Sequence, residues 1–358
     1  MKVLLTSPAS SIHTQRWMTA LTRRGHEVHL ATVHGGKPMD GTVHYLPIFG
    51  LGKAGYFAAI PALRKVVKRL KPDVVHAHYL SSYGFLTAAA KVSSFVGTAW
   101  GSDVLITPQQ SQIARILTSY GIKRAAAITV VAEHMSPAVL KLGAVKERLH
   151  VIPFGVDTSI FQFRTAPFDT DFIRIVSTRN LKPIYDIPTV LRAVNILKER
   201  GVLKRFHLDL AGSGELKEEL EVLAEKLGIK EEVTFHGRVE QLKAAELLAR
   251  ADLFVSSALS DGNNISLNEA MACGSIPVGT DIPANSAWIT HGVNGFLYSS
   301  GKPDALAASL EMALGKRDLW PAIAKQNRDQ VTKEASWDLC VDKTCALYEQ
   351  LAGKRDEP

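Results

Sequence analysis

The chain has 358 residues, more than one hydrophobic core usually supports, so two domains are expected. Apolar residues make up 46% and charged residues 22% of it, which excludes a largely disordered protein. The net charge of +7 is uneven, because residues 1–165 contain 19 Lys and Arg against 7 Asp and Glu. We therefore expect an anionic partner for the first half. Nucleic acid is the weakest choice, since no nucleic-acid-binding motif accompanies the charge.

The N-terminal segment MKVLLTSPASS contains an apolar run that is too short for a signal peptide or a membrane span. We interpret it as a first strand. The three cysteines, Cys273, Cys340 and Cys345, match no zinc or redox spacing. These features predict a cytoplasmic protein with neither a disulfide nor a metal site.

Short β-branched runs alternate with amphipathic helical stretches in the first half of the chain. The predicted strands are KVLLT (2–6), HEVHLATV (26–33), DVVHAH (73–78) and AAITVVA (126–132). This alternation is typical of βαβ units around a parallel sheet. His76 and His78 alternate on one of these strands, so we expect at least one to be a core histidine with satisfied hydrogen bonds.

The same pattern restarts after a polar stretch at 165–171, which we interpret as a linker. The new strands are FIRIVSTRN (172–180), FHLDLAGSG, EEVTFHG, ADLFVSS and SIPVGT. The fold class is therefore predicted as α/β, with two Rossmann-like doubly wound domains, 1–165 and 166–335, facing a central cleft. Residues 336–358 form a last helix and tail that can pack on either domain, with the first as our candidate.

The segment SDGNNISLNEAMACGSIPV joins an acidic loop residue to a turn of small residues and a helix. Asp261 follows the strand ADLFVSS, and Glu269 lies about one turn inside the helix. Unpaired N–H groups at a helix start can hold a diphosphate without a metal ion. Glu269 can then bind ribose hydroxyls and Asp261 hydroxyls of an attached sugar; the alternative is a helix cap and a surface charge. The residues expected to line this diphosphate site are Gly262, Asn263, Asn264, Ile265 and Ser266.

Two acidic residues separated by seven others, followed by EAMACGSIPVGTDIP, resemble the family 4 glycosyltransferases, which are retaining enzymes of the GT-B architecture. Asp261 and Glu269 match that spacing. The family usually has Glu at the first position and a Gly-Phe-Gly-like turn, whereas this chain has Asp261 and Gly-Asn-Asn. The departure concerns the identity of the donor sugar more than the class of reaction.

The resemblance implies further residues around the donor. Arg179 matches the family's arginine that neutralises the donor phosphates, so Asp261, Glu269 and Arg179 are the implied catalytic residues. Ile184 occupies the position of the accompanying lysine, which Lys182 can replace. The segments LAGSGE and FHGRV resemble donor-binding loops. They imply backbone contacts near Gly212, Gly214, Arg238 and Val239.

The first half resembles the family less closely. His13 and Arg16, in the first strand-to-helix turn, are candidate acceptor-binding residues, with capping or packing as the alternative for His13. Trp100 stands where the family commonly has a His before Gly-x-Asp, and Asp103 is a candidate cleft residue or a cap.

Residues 54–71 interleave aromatic and aliphatic side chains with Arg64, Lys65, Lys68, Arg69 and Lys71. Such a basic amphipathic helix can lie on anionic lipid, which predicts a peripheral position on the inner face of the cytoplasmic membrane. The alternative is an ordinary surface helix with one core face.

These observations predict retaining transfer of a sugar from a nucleotide-diphosphate sugar to a hydroxyl acceptor. The expected acceptor is a glycan or lipid-linked saccharide of the cell envelope, bound by the first domain, while the second domain binds the donor. No cofactor or metal is expected. The alternatives are a nucleotide-sugar epimerase and a non-catalytic nucleotide-sugar-binding protein. A nicotinamide dehydrogenase is disfavoured, because no G-x-G-x-x-G opens the first helix.

Overall fold

The computed structural model describes residues 1–36, 40–92, 94–168 and 171–353. The chain divides into two units, residues 1–153 with 340–358 and residues 154–339. Part of the predicted linker (169–170) and the last five residues of the predicted tail lie outside the described residues. None of the described helices combines the length and apolar character needed to cross a bilayer.

The described residues of the first unit form a seven-stranded parallel sheet in the order β3-β2-β1-β4-β5-β6-β7. Its strands are β1 (Lys2–Thr6), β2 (Glu27–Thr32), β3 (Thr42–Tyr45), β4 (Val74–His78), β5 (Phe95–Ala99), β6 (Ala127–Val130) and β7 (Leu149–Val151). Its helices are α1 (Ile12–Arg23), α2 (Gly55–Leu70), α3 (Phe85–Ala89), α4 (Ser102–Leu105), α5 (Thr107–Gln110), α6 (Gln112–Arg124) and α7 (Ser136–Lys141). The strand order reverses direction between β1 and β4, which is where doubly wound sheets bind ligands.

The described residues of the second unit form a six-stranded parallel sheet in the order β10-β9-β8-β11-β12-β13. Its strands are β8 (Ile173–Ser177), β9 (Phe206–Leu210), β10 (Val233–Phe235), β11 (Leu253–Ser256), β12 (Ile276–Thr280) and β13 (Phe296–Tyr298). Its helices are α8 (Ile187–Glu199), α9 (Lys217–Lys226), α10 (Gln241–Arg250), α11 (Ile265–Cys273), α12 (Pro283–Ser286), α13 (Pro303–Leu314) and α14 (Trp320–Ala335). Here the order reverses between β8 and β11.

Each face of the second sheet is covered by its own apolar cluster. On β8, Ile173 and Ile175 pack with residues of α8 and α13, whereas Val176 packs with residues of α10, α11 and α14. Strands buried on both faces are typical of parallel sheets between helices. The predicted α/β class with two doubly wound domains is therefore confirmed.

The boundary between the units lies earlier than the predicted one. The first domain was expected to end at residue 165, but the first unit ends at Pro153. Phe161 belongs to an apolar cluster of the second unit, and the backbone N–H of Arg164 donates to Cys273 O at 2.9 Å. These contacts attach the segment after Pro153 to the second unit.

The last helix, α15 (Trp337–Gly353), returns to the first unit from Cys340 onward. Its Tyr348 hydroxyl lies 2.5 Å from His76 Nδ1, and His76 Nε2 lies 2.5 Å from Thr98 Oγ1. Burial lowers the pKa of His76 to about 3, so the ring is neutral. One ring nitrogen donates and the other accepts. His76 is thus the satisfied core histidine that was expected.

Replacing Tyr348 with Phe should destabilise the protein. The ring remains, but His76 Nδ1 loses its hydrogen-bond partner in a buried site, at a cost of about 1–3 kcal/mol. Urea unfolding measures this difference. Tyr45→Phe, at an exposed position of β3, is the matched control and should change the free energy of unfolding by less than about 0.5 kcal/mol. Equal effects of the two substitutions would contradict this account of α15.

Candidate functional site

The site of the second unit lies at the carboxyl ends of β8 and β11, where the strand order reverses. The loops after these two strands are tied together by hydrogen bonds. Ser257 Oγ donates to Tyr185 O at 2.6 Å, and the Leu259 N–H donates to Ile184 O at 2.9 Å. The predicted site residues of both loops are therefore brought to one place.

Arg179 is the central cation of this site. Its side chain is only 8% exposed, and its guanidinium donates from Nη2 to Asp261 Oδ2 and from Nη1 to Asn264 Oδ1 at 2.8 Å. The guanidinium carbon lies 4.3 Å from the centre of the Tyr185 ring, in a cation–π contact. Two hydrogen bonds and one stacked face fix both the position and the plane of the guanidinium.

Asn264 is the N-cap of α11. Its Oδ1 accepts the backbone N–H of Leu267 at 3.1 Å, which satisfies one of the donors that a helix start leaves unpaired. Its Nδ2 donates to Ser256 Oγ at 2.9 Å and to Asn285 Oδ1 at 2.8 Å. All of these side chains are buried. One residue thus starts the helix and links it to β11 and α12.

Asn263 is buried beside this network without taking part in it. Its side chain is 6% exposed, and within the described residues neither its Oδ1 nor its Nδ2 has a hydrogen-bond partner. Arg179 Nε is also buried without a partner among those residues. Buried polar atoms are almost always hydrogen-bonded in native proteins, so these unpaired atoms next to a helix N-terminus are available to a polar ligand or to water.

The other predicted residues of this segment lie in α11 or in the turn before it. Ile265 is the first residue of the helix, and Ser266 Oγ donates to Thr178 O at 3.3 Å, which holds the helix start against the end of β8. Glu269 lies in the second turn and is half-buried. Gly262 is buried in the turn before the cap.

Gly212 and Gly214 have a structural reason to be glycines. A Cβ at Gly212 would lie 2.1 Å from Arg179 O, and one at Gly214 would lie 2.0 Å from Leu181 O. The loop after β9 therefore packs directly against the loop that contains Arg179. Lys182, in that same loop, is exposed. After β10, Arg238 is exposed and Val239 is half-buried.

In the first unit, two of the predicted acceptor residues, His13 and Trp100, meet near the carboxyl ends of β4 and β5. The rings of His13 and Trp100 are 5.4 Å apart, edge to face, and Trp100 lies 5.5 Å from His78. Burial, followed by the charge of Arg16, lowers the pKa of His13 to about 3, so its ring is neutral. The cap of α1 is Ser11, which accepts the His13 N–H at 3.2 Å.

Asp103 is not an open cleft residue. Its carboxylate is fully buried and accepts the backbone N–H groups of Leu80 at 2.7 Å, Trp100 at 3.0 Å and Gly101 at 2.9 Å. Burial nevertheless raises its pKa to about 6. Asp103 thus joins the loops after β4 and β5 instead of facing a ligand, because its oxygens are taken by backbone donors.

Two residues of the site escaped the sequence analysis. Tyr185 follows Ile184, and no sequence signal pointed to its contact with the Arg179 guanidinium. Asn285 lies in the segment GTDIPAN, whose proline marks the start of a short helix but gives no sign of the buried bond to Asn264.

Two family models match the chain, "Glycosyl transferase 4-like" over residues 2–132 and "Glycosyl transferases group 1" over residues 159–330. The N-acetyl-alpha-D-glucosaminyl L-malate synthase of Bacillus anthracis is 21% identical, over 92% of this chain and 90% of that protein.

Solved structures share the fold at low sequence identity. The sucrose-phosphate synthase of Thermosynechococcus elongatus has a TM-score of 0.85 at 15% identity, over 99% of this chain and 100% of that one. Anabaena HepE, in complex with UDP and glucose, has a TM-score of 0.80 at 17% identity, over 98% and 100%. Given both family models and this fold, the chain belongs to the family 4 glycosyltransferases of the GT-B type.

Proposed function

We propose that this glycosyltransferase moves a sugar, with retention of configuration, from a nucleoside diphosphate sugar to a hydroxyl group of a glycan or lipid-linked saccharide. The observation that carries the proposal is the start of α11, where the helix N-terminus, the Arg179 guanidinium and the unpaired Asn263 carboxamide lie close together. Helix N-termini and arginines both favour phosphate oxygens. Neutral polar atoms beside them suit sugar hydroxyls.

The proposed reaction breaks the bond between the anomeric carbon and the oxygen of the β-phosphate, and the acceptor oxygen forms a new bond to the same carbon. The proton of the acceptor hydroxyl passes to the departing phosphate. The leaving diphosphate gains negative charge during this step, and the α11 N-terminus and Arg179 stabilise it. Retention is supported by the resemblance, which implies front-face attack without a protein nucleophile. We assign no metal ion to the site.

In this proposal Asp261 and Glu269 orient the donor, Asp261 through hydroxyls of the sugar and Glu269 through the ribose. Lys182, Gly212, Gly214, Arg238 and Val239 remain candidate donor contacts. The first unit would bind the acceptor, with His13, Arg16 and Trp100 as candidate contacts. Two observations support that role: residues 1–165 have a basic net charge, and the rings of His13 and Trp100 are in edge-to-face contact.

The donor test is a thermal-shift screen of UDP-, GDP-, ADP- and dTDP-sugars, followed by acceptor trials with the donor that binds. Acceptor-dependent release of nucleoside diphosphate is the expected result. Glu269→Ala should weaken binding of that donor by at least about tenfold, the effect of losing a hydrogen bond to a charged group. Unchanged binding and turnover would sink the assignment of Glu269.

Two other outcomes would replace the proposal. Interconversion of the donor sugar without an acceptor would identify an epimerase. Donor binding that never yields a glycosylated product would identify a binding protein.

Asn263→Ala tests the unpaired carboxamide. Because the Asn263 side chain makes no hydrogen bond within the described residues, its removal should change the free energy of unfolding by less than about 1 kcal/mol. Donor affinity should nevertheless fall about tenfold. The neighbouring Asn264→Ala is the matched control and should cost at least about 2 kcal/mol, because it removes a helix cap and leaves buried partners unpaired. Equal destabilisation by both variants would show that Asn263 has a structural role.

We also propose that α2 and the loop before it rest on an anionic membrane. Phe57, Lys65 and Lys68 follow one exposed stripe of α2, with Phe57 51% exposed, and Phe49 in the preceding loop is 74% exposed. Exposed aromatic side chains next to basic ones suit the interface of anionic lipid. A surface of this kind would bring a lipid-linked acceptor to the enzyme.

The double variant Lys65→Glu/Lys68→Glu should weaken binding to vesicles that contain phosphatidylglycerol by at least about tenfold, since each basic residue contributes about 1 kcal/mol. Sedimentation with vesicles measures this. Lys226→Glu/Lys333→Glu, at exposed positions of the second unit, applies the same charge change and should have little effect. If the two double variants bind alike, α2 is an ordinary surface helix.

A further inference from the structure

Asp261 is the counter-ion of Arg179 in the structure. Its side chain is 17% exposed, its Oδ2 accepts from Arg179 Nη2, and the guanidinium is nearly buried. The Asp261 carboxylate lies against the Arg179 guanidinium and therefore reduces the positive charge that the site offers to an anion. Asn264 and Tyr185 also contact the guanidinium, so Arg179 keeps two further contacts when the carboxylate loses its charge.

We propose that Asp261 competes with bound diphosphate for Arg179 and thereby weakens the hold of the site on the nucleoside diphosphate product more than on the donor. This inference rests on the proposed function. In addition to contacting the donor sugar, Asp261 would favour the donor over the nucleoside diphosphate, which binds the same site.

The difference between the two ligands is one of charge. A nucleoside diphosphate ends in a phosphate monoester, whose second ionisation has a pKa near 6, so at pH 7.5 it has about one more negative charge than the nucleotide sugar. The donor also has sugar hydroxyls that can donate hydrogen bonds to Asp261. The product has none, so it meets only the repulsion of the carboxylate. Asp261 therefore opposes the product and favours the donor.

The test is isothermal titration of the wild-type protein and of Asp261→Asn with UDP, GDP, ADP and dTDP and with their glucose conjugates. Asp261→Asn removes the charge and keeps an oxygen that can accept from Arg179. For the base that binds, the variant should bind the nucleoside diphosphate about tenfold more tightly at low salt, and this gain should shrink at high salt. Its affinity for the nucleotide sugar should not rise.

Two further variants control for charge and for structure. Asp261→Glu keeps the charge, so it should not bind the nucleoside diphosphate more tightly than the wild type. Asp304→Asn breaks an exposed pair with Arg200 in the same unit and should have no effect on either ligand. If Asp261→Asn fails to fold in a thermal melt, Asp261→Ser removes the same charge and takes its place.

The outcomes separate this inference from the proposed function. If the wild-type protein binds none of the nucleotides or nucleotide sugars, the proposed function fails. If it binds them, and the folded uncharged variant binds the nucleoside diphosphate no more tightly than the wild type, only the competition by Asp261 is overturned. Tightening of both ligands by the same factor would also overturn it.

Discussion

The hydrogen bonds of Asn264 determine the geometry of the site in the second unit. A single buried carboxamide caps α11, accepts from Arg179 and donates to Ser256 and Asn285. These partners lie in the loop after β8, at the end of β11, in α12 and in α11 itself, so one side chain fixes the positions of all four segments. In a buried environment such bonds are costly to break, which keeps the N–H groups of α11 aimed at a constant position. The turn before the cap can then differ from the family without loss of the helix.

Much of the fold could be predicted because its signals are local. Apolar runs separated by helical spacers identified β1, β2, β4 and β8, and their regular alternation implied parallel sheets. The strands β3, β5, β7 and β13 were not predicted, and length alone does not explain this, because β10 has only three residues and was predicted from EEVTFHG. The unit boundary also escaped prediction. Polar composition marks a linker, whereas the attachment of Phe161 depends on contacts with residues far along the chain.

In the candidate site, too, some features could be predicted from the sequence and others could not. Asp261 and Glu269 are predicted from the spacing of the family, and Gly212 and Gly214 from the resemblance of LAGSGE to a donor-binding loop. In the structure the two glycines leave room for the loop that contains Arg179. The role of Asp103 was not readable. A carboxylate in the first turn of a short helix does not reveal that the backbone N–H groups of Leu80, Trp100 and Gly101 converge on it.

The bond between His76 and Tyr348 joins residues that are 272 positions apart, and it has a consequence for synthesis of the protein. The strands of the first sheet leave the ribosome before the second unit, but the hydroxyl that satisfies His76 is made only after it. The second unit, by contrast, has all of its residues in one continuous stretch, 154–339. At about 5–20 residues per second, the first unit waits many seconds for its last helix. During translation, therefore, the nascent chain can complete its second unit before its first.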